Sequence, residues 1–230
     1  MTLNRGFGVL FAGLAAGAWL TLSLQASSLQ MAMGITAGVY LLSWVTMLVA
    51  MMLPATAPLA LAYGRVVRSR GGGQFSALPF TVGYLMLWTL SGIVPFAVFA
   101  GSRGLVAGMG GTPLGTAAVA AVLAAAGLYQ LSPLKGVCLR ACRSPLGFLA
   151  THDFDRGPLG GVLAGIEHGA YCLGCCWALM TLLTVVGLMN LAWMAVLAIL
   201  ILAEKNWRHG AELAKAAGAG MLLGAIVMLL

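Results

Sequence analysis

The sequence predicts an all-α fold, a polytopic bundle of transmembrane helices forming one integral membrane domain over residues 1–230. Three observations predict it. Hydrophobic residues make up 61% of the chain and charged residues 7%, whereas a soluble globular domain carries about 25% charged residues. So much apolar surface has no water-soluble core to enter, and the mean hydropathy is +1.01. Apolar runs of membrane-spanning length, about 17–25 residues, follow one another with short polar breaks. The basic residues, finally, fall on alternate breaks.

That charge alternation sets an orientation. With the N-terminus cytoplasmic, the inside segments hold Arg5, then Arg65, Arg68 and Arg70, then Lys135, Arg140, Arg143 and Arg156, then Lys205, Arg208 and Lys215. Those are eleven of the twelve basic residues, with Arg103 alone outside. The pattern matches the excess of Lys and Arg in cytoplasmic loops. It predicts seven spans, N-terminus in and C-terminus out. The net charge of +7 is thereby a topology signal, and no nucleic-acid partner is expected. A bacterial inner (plasma) membrane is the expected location, with the lipid bilayer as the first partner.

The spans follow in order. The first covers about residues 6–24, longer than the ~7–15 residues of a signal-peptide apolar region, and is read as a retained helix. The second covers about 34–62 and contains Trp44, Met47, Met51, Met52, Pro54 and Pro58. Pro54 lacks a backbone N–H and should kink or locally open the helix. The third covers about 77–100. The fourth, about 113–131, is rich in alanine and suited to close approach by a neighbour. Residues 132–157 form the longest cytoplasmic loop and carry Cys138 and Cys142. Pro133 and Pro145 bracket a stretch that reads as a short amphipathic interfacial helix. The fifth span covers about 158–187. A turn at Met189-Asn190 leads to the sixth, about 191–203, and the seventh closes the chain at Leu230. The sixth is short for a hydrocarbon core of about 30 Å, so six spans are the alternative.

The fifth span carries the chemistry, in Ile166-Glu-His-Gly-Ala-Tyr-Cys-Leu-Gly-Cys-Cys-Trp-Ala-Leu-Met180. Ionisable and polar groups inside a membrane segment point to function. At about 100° per residue, with His168 at zero, Cys175 lies at about −20°, Cys172 at +40° and Cys176 at +80°. Glu167 points away, at about −100°. Gly161, Gly165 and Gly169 run at about +20°, +60° and +100° and lead into the cysteine face. Such a small-residue row lets another backbone come close, so the ligand face is expected to pack on protein. The axial rise from His168 to Cys176 is about 12 Å, too long for one ion to touch every group. A second helix must contribute, and the second span is a candidate. Counted from the inner ends, Met47 lies at roughly the depth of Cys172, and Met51 at roughly that of His168.

Thiolate and thioether donors select Cu(I), with Zn as the thiolate alternative. The expected metal ligands are Cys172, Cys175, Cys176, His168, Met47 and Met51. Buried cysteines often serve as small hydrophobes. Three within five positions, one turn from a histidine, argue for ligation instead. Cys138 and Cys142 are candidates for metal transfer at the cytoplasmic side. No phosphate-binding loop, nucleophile triad or paired-carboxylate pattern occurs, so the chain reads as a binding protein more than as an enzyme.

Several motifs together carry a resemblance: Trp44-x-x-Met47-x-x-x-Met51-Met52-x-Pro54-x-x-x-Pro58, Tyr129-Gln-Leu-Ser-Pro-Leu-Lys135-x-x-Cys138-x-x-x-Cys142-Arg143, His168-Gly-x-Tyr-Cys172-x-Gly-Cys175-Cys176-Trp177, Met189-Asn190 and Glu204-Lys205. The chain resembles the bacterial family of predicted metal-binding integral membrane proteins over about residues 35–206. The resemblance implies metal binding in the membrane and, in some descriptions of the family, copper handling, at the Cys and His positions above.

The leading expectation is a membrane protein that binds Cu(I) and delivers it to, or takes it from, a partner such as a metallochaperone or another membrane protein. The alternatives are a membrane thiol oxidoreductase using Cys172-x-x-Cys175 and a non-catalytic subunit of a larger membrane complex.

Overall fold

The structure, a computed structural model, describes residues 2–31, 37–73, 75–97, 101, 112–150, 157–186 and 190–230. Among the described residues the regular structure is helical throughout: α1 Thr2–Met31, α2 Ala37–Ser69, α3 Ala77–Ser91, α4 Pro113–Leu131, α5 Pro133–Arg143, α6 Pro145–Ala150, α7 Gly157–Val186, α8 Leu191–Asn206 and α9 Gly210–Val227. The chain forms two compact units. One comprises Met1–Gly92 and Arg140–Leu173, the other Ile93–Leu139 and Gly174–Leu230.

In the first unit α2 packs against α1, α3 and α6. Its prolines do not break it, and α2 runs on through Pro54 and Pro58. Pro54 has no N–H for the carbonyl four residues back, which is that of Ala50. The indole Nε1 of Trp19 on α1 donates to that carbonyl at 3.2 Å. A neighbouring side chain thus satisfies the acceptor that the proline frees. At the end of α3 the N–H of Gly92 turns back to Thr89 and Leu90. The Trp88 carbonyl instead accepts from the buried Trp44 Nε1, at 3.1 Å.

The glycine row of α7 meets α3. A Cβ at Gly161 would lie 2.8 Å from Pro79 Cβ, and one at Gly165 would lie 2.9 Å from the backbone nitrogen of Tyr84. Gly83 on α3 reciprocates, since a Cβ there would collide with the Val162 carbonyl. The expectation of close protein packing along this row holds: α3 supplies the nearest backbone, and the Tyr63 hydroxyl of α2 also reaches Gly161. Leu53, Leu59, Ala60, Tyr63, Phe80, Phe148 and Ala164 form the core beside it.

In the second unit α9 packs on α4 and α8. Gly127 and Gly218 face each other, each with the other's carbonyl 2.9 Å from where a Cβ would sit. This is the close approach expected of the alanine-rich span. α4 starts at Thr112, whose Oγ1 accepts from Gly115 N at 3.1 Å, with Pro113 in the first turn. Asn190 opens α8 in the same way, Oδ1 accepting from Trp193 N at 3.3 Å. Met189, the other half of the expected turn, lies outside the described residues.

Six helical stretches among the described residues are long and apolar enough to cross a membrane: Gly8–Gln25, Ala37–Ser69, Ala77–Ala97, Pro113–Leu131, Gly157–Leu183 and Gly210–Val227. The expected sixth span is helical, but at 16 residues α8 reaches only about 24 Å. The expected 132–157 loop is helical up to residue 150, through α5 and α6, and the helix foreseen between Pro133 and Pro145 is α5. His152, Asp153, Asp155 and Arg156 lie outside the described residues, as does Arg103.

Candidate functional site

The candidate ligands divide between the two units. His168, Cys172, Met47 and Met51 belong to the first, Cys175, Cys176 and Cys138 to the second. Cys142, half-buried on the last turn of α5, falls in the first. All five cysteines are reduced, none of them joined in a disulfide.

In the first unit His168 is 3% exposed. Its ring is flanked by those of Phe80, Tyr84 and Phe148, with centroids at 5.8, 5.9 and 5.5 Å. Tyr84 stacks on the imidazole and also places its hydroxyl 3.0 Å from Cys172 Sγ. One tyrosine on α3 therefore bridges the imidazole and the thiol of successive α7 turns. Cys172 is fully buried, and Met47 and Met51 are buried on α2. Glu167 is exposed, in keeping with its expected direction away from the cysteine face.

In the second unit Cys175 and Cys176 are both buried, with their sulfurs 3.4 Å apart. Cys138 on α5 packs on Gly174, its Sγ lying 2.7 Å from where a Cβ of residue 174 would be. The glycine inside Cys172-x-Gly-Cys175 is the space that admits the Cys138 sulfur. Tyr129 near the end of α4 donates its hydroxyl hydrogen to the Gly174 carbonyl and lies edge-on to Trp177 at 4.9 Å. Among the described residues, no three His, Cys, Asp or Glu side chains already stand around a common point as metal ligands. The local donor set is a vicinal thiol pair, with Cys138 on the Gly174 face of α7, about 100° round the helix from Cys175 and about 160° from Cys176.

Sequence reasoning missed what surrounds Cys138. Lys135, expected to be a solvated loop cation, is 1% exposed. Its Nζ lies 2.6 Å from Glu204 Oε2 on α8 and also donates to Gln130 Oε1. Gln130 Nε2 donates to Glu204 Oε1 at 2.7 Å. Glu204 follows the expected end of the sixth span at about residue 203, yet it is buried within α8. The available signal was the Tyr129-Gln130 dipeptide ending an otherwise apolar helix: a polar side chain there calls for a buried partner. The roles of Tyr84 and Tyr129 had no comparable signal, because an aromatic in an apolar helix reads as core.

Fold and donors together define a class: all-helical proteins whose long apolar helices bury thiol, thioether and imidazole groups. The family described as PpoB2: Copper chaperone matches residues 41–228 of the chain. The chain belongs to that copper chaperone family. The match runs through α9, beyond the stretch on which the sequence resemblance rested, and begins within α2. No curated protein and no solved structure matches the chain.

Proposed function

We propose that this chain is a multi-pass protein of the bacterial plasma membrane that binds Cu(I) and exchanges it with a partner protein. The carrying observation is the buried pair Cys175 and Cys176, sulfurs 3.4 Å apart; Cys138, seated on Gly174, is a further thiol of the same unit. Membership of a copper chaperone family supports copper as the cargo. The donor set supports the cuprous state, because thiolates and thioethers favour Cu(I). A second station in the first unit would draw on His168 and Cys172, with Met47 and Met51 as thioether donors. The chain carries seven spans with its N-terminus in the cytoplasm. The distribution of Lys and Arg supports that orientation, and it places Cys138 on the cytoplasmic side, where a partner can reach it.

The test is copper content. The full chain, loaded with Cu(I) under reducing conditions and desalted in detergent, should retain copper in stoichiometric amount. The Cys172→Ser/Cys175→Ser/Cys176→Ser variant should retain little. Equal copper in the two would end the proposal. A Cys172–Cys175 disulfide that cycles with a quinone, without stoichiometric copper, would favour the oxidoreductase reading instead.

A further inference from the structure

The buried Lys135–Gln130–Glu204 network has no part in the copper chemistry described so far. It joins three elements: Gln130 closes α4, Lys135 opens α5 and Glu204 ends α8. Both carboxylate oxygens of Glu204 are engaged, one by the Lys135 ammonium at 2.6 Å and one by the Gln130 amide at 2.7 Å. Lys135 and Glu204 are 1% and 2% exposed. A buried ion pair returns little net stability against well-packed apolar side chains of the same volume, because both ions lose their hydration. What it can supply is a defined position, since a misplaced partner leaves a bare buried charge.

The element so positioned is the one that carries Cys138. Residues three apart on a helix are neighbours on its surface, and Cys138 follows Lys135 by three. Tyr129, next to Gln130, donates to the Gly174 carbonyl, and Cys138 Sγ packs on Gly174 itself. The dipeptide Tyr129-Gln130 thus grips the cysteine helix α7 with one side chain and the anchor of α5 with the next. The missing Cβ of Gly174 leaves space for a single sulfur, and the network sets which sulfur fills it.

We infer that Lys135, Gln130 and Glu204 are positioning residues that hold Cys138 at Gly174 as the exchange thiol of the Cys175–Cys176 pair. This deepens the copper reading and rests on it. In the exchange, Cu(I) held by an incoming carrier thiolate forms a bond to the Cys138 sulfur as its bond to the carrier sulfur breaks. A second carrier thiolate then takes it from Cys138 to Cys175 or Cys176, which lie about 100° and about 160° round α7 from Gly174, by the same substitution. No electron is transferred. Each thiol that enters gives up its proton, and each thiolate that leaves takes one up.

The experiment measures the rate at which the full-length protein in detergent takes up Cu(I) from Cu(I)–glutathione. It compares the wild type with Cys138→Ser, Glu204→Gln, and the two combined. Glu204→Gln removes the charge while keeping volume and hydrogen-bonding atoms. The expected result is uptake slowed about tenfold or more by either single change, with final copper content unchanged. The double variant should be no slower than Cys138→Ser, because residues acting through one another are non-additive. The exchanged pair Lys135→Glu/Glu204→Lys should recover part of the rate. Additive losses would overturn the inference, since a general structural role predicts them. So would wild-type uptake by Glu204→Gln. A copper-free reading separates this inference from the copper proposal: the rate at which a maleimide labels Cys138 when the other four cysteines are serine. Glu204→Gln should label several-fold faster than its parent, as the sulfur leaves Gly174. Equal labelling rates overturn the inference whether or not the chain binds copper. Failure of the wild type to retain copper, with faster labelling intact, refutes the copper reading and the exchange step and leaves only the positioning.

Discussion

Replacing Gly165 by alanine tests the packing on which the histidine and Cys172 depend. The new Cβ would lie 2.9 Å from both the Phe80 carbonyl carbon and the Tyr84 nitrogen, and closer still to the Phe80 oxygen. Ordinary contact begins at 3.4 Å, so α3 and α7 must part by at least 0.5 Å (3.4 minus 2.9). The obstacle is backbone, which cannot rotate aside as a side chain can. Overpacking of this kind costs about 1–3 kcal/mol, and the gain from removing a mid-helix glycine offsets only about 0.5–1 kcal/mol of it. A net loss of about 1–2 kcal/mol corresponds to a Tm lower by roughly 2–8 °C in a chain of this size. The separation also draws Tyr84 from Cys172, lengthening a contact of 3.0 Å. Thermal unfolding of detergent-solubilised protein by intrinsic fluorescence reads the effect, with Gly17→Ala as control. A Cβ at Gly17 meets nothing within 4 Å, so that variant should hold or raise its Tm. Equal Tm values for Gly165→Ala and Gly17→Ala would refute the packing argument.

Other consequences follow from the same structure. Trp19→Phe should lower stability by about 1–3 kcal/mol, the cost of a buried acceptor left unsatisfied, and Pro54→Ala in that background should recover most of it by restoring the donor to Ala50. Denaturation midpoints of the three proteins check this, and no recovery would disconnect Trp19 from the proline. Lys135→Met alone leaves Glu204 buried and uncompensated, a loss of about 3–5 kcal/mol. Lys135→Met/Glu204→Met should regain at least half, read as Tm. A double variant no better than the single would mean the pair is not the source of the loss. Seven spans put the C-terminus outside, so a C-terminal alkaline phosphatase fusion should be active and a fluorescent-protein fusion dark. The reverse result would mean that α8 does not cross and that six spans is correct.

The helices were legible because apolar length and loop charge are one-dimensional properties. The glycine row was legible for the same kind of reason: Gly161, Gly165 and Gly169 repeat at a spacing that fixes a helical face. Which helix fills that face was not legible. Depth matching points to Met47 and Met51 on α2, and the residues on the glycine row are Pro79, Phe80, Tyr84 and Leu87 of α3, with the Tyr63 hydroxyl of α2 also at Gly161. Depth along a membrane normal orders residues along one axis and says nothing of neighbours around it. The charged residues misled for a related reason. Lys135 and Glu204 stand at the edges of apolar runs, where cations and carboxylates usually meet water. Their pairing joins positions 69 residues apart and leaves no local trace. The partner of the carbonyl that Pro54 frees has no local trace either, because its donor, Trp19, belongs to α1.

The most direct test of a sulfur-based copper site is X-ray absorption at the copper edge of the loaded full-length protein. The account predicts a Cu(I) edge and a first shell dominated by sulfur, with sulfur lost in Cys175→Ser/Cys176→Ser. A shell of nitrogen and oxygen only, unchanged in that variant, would contradict it.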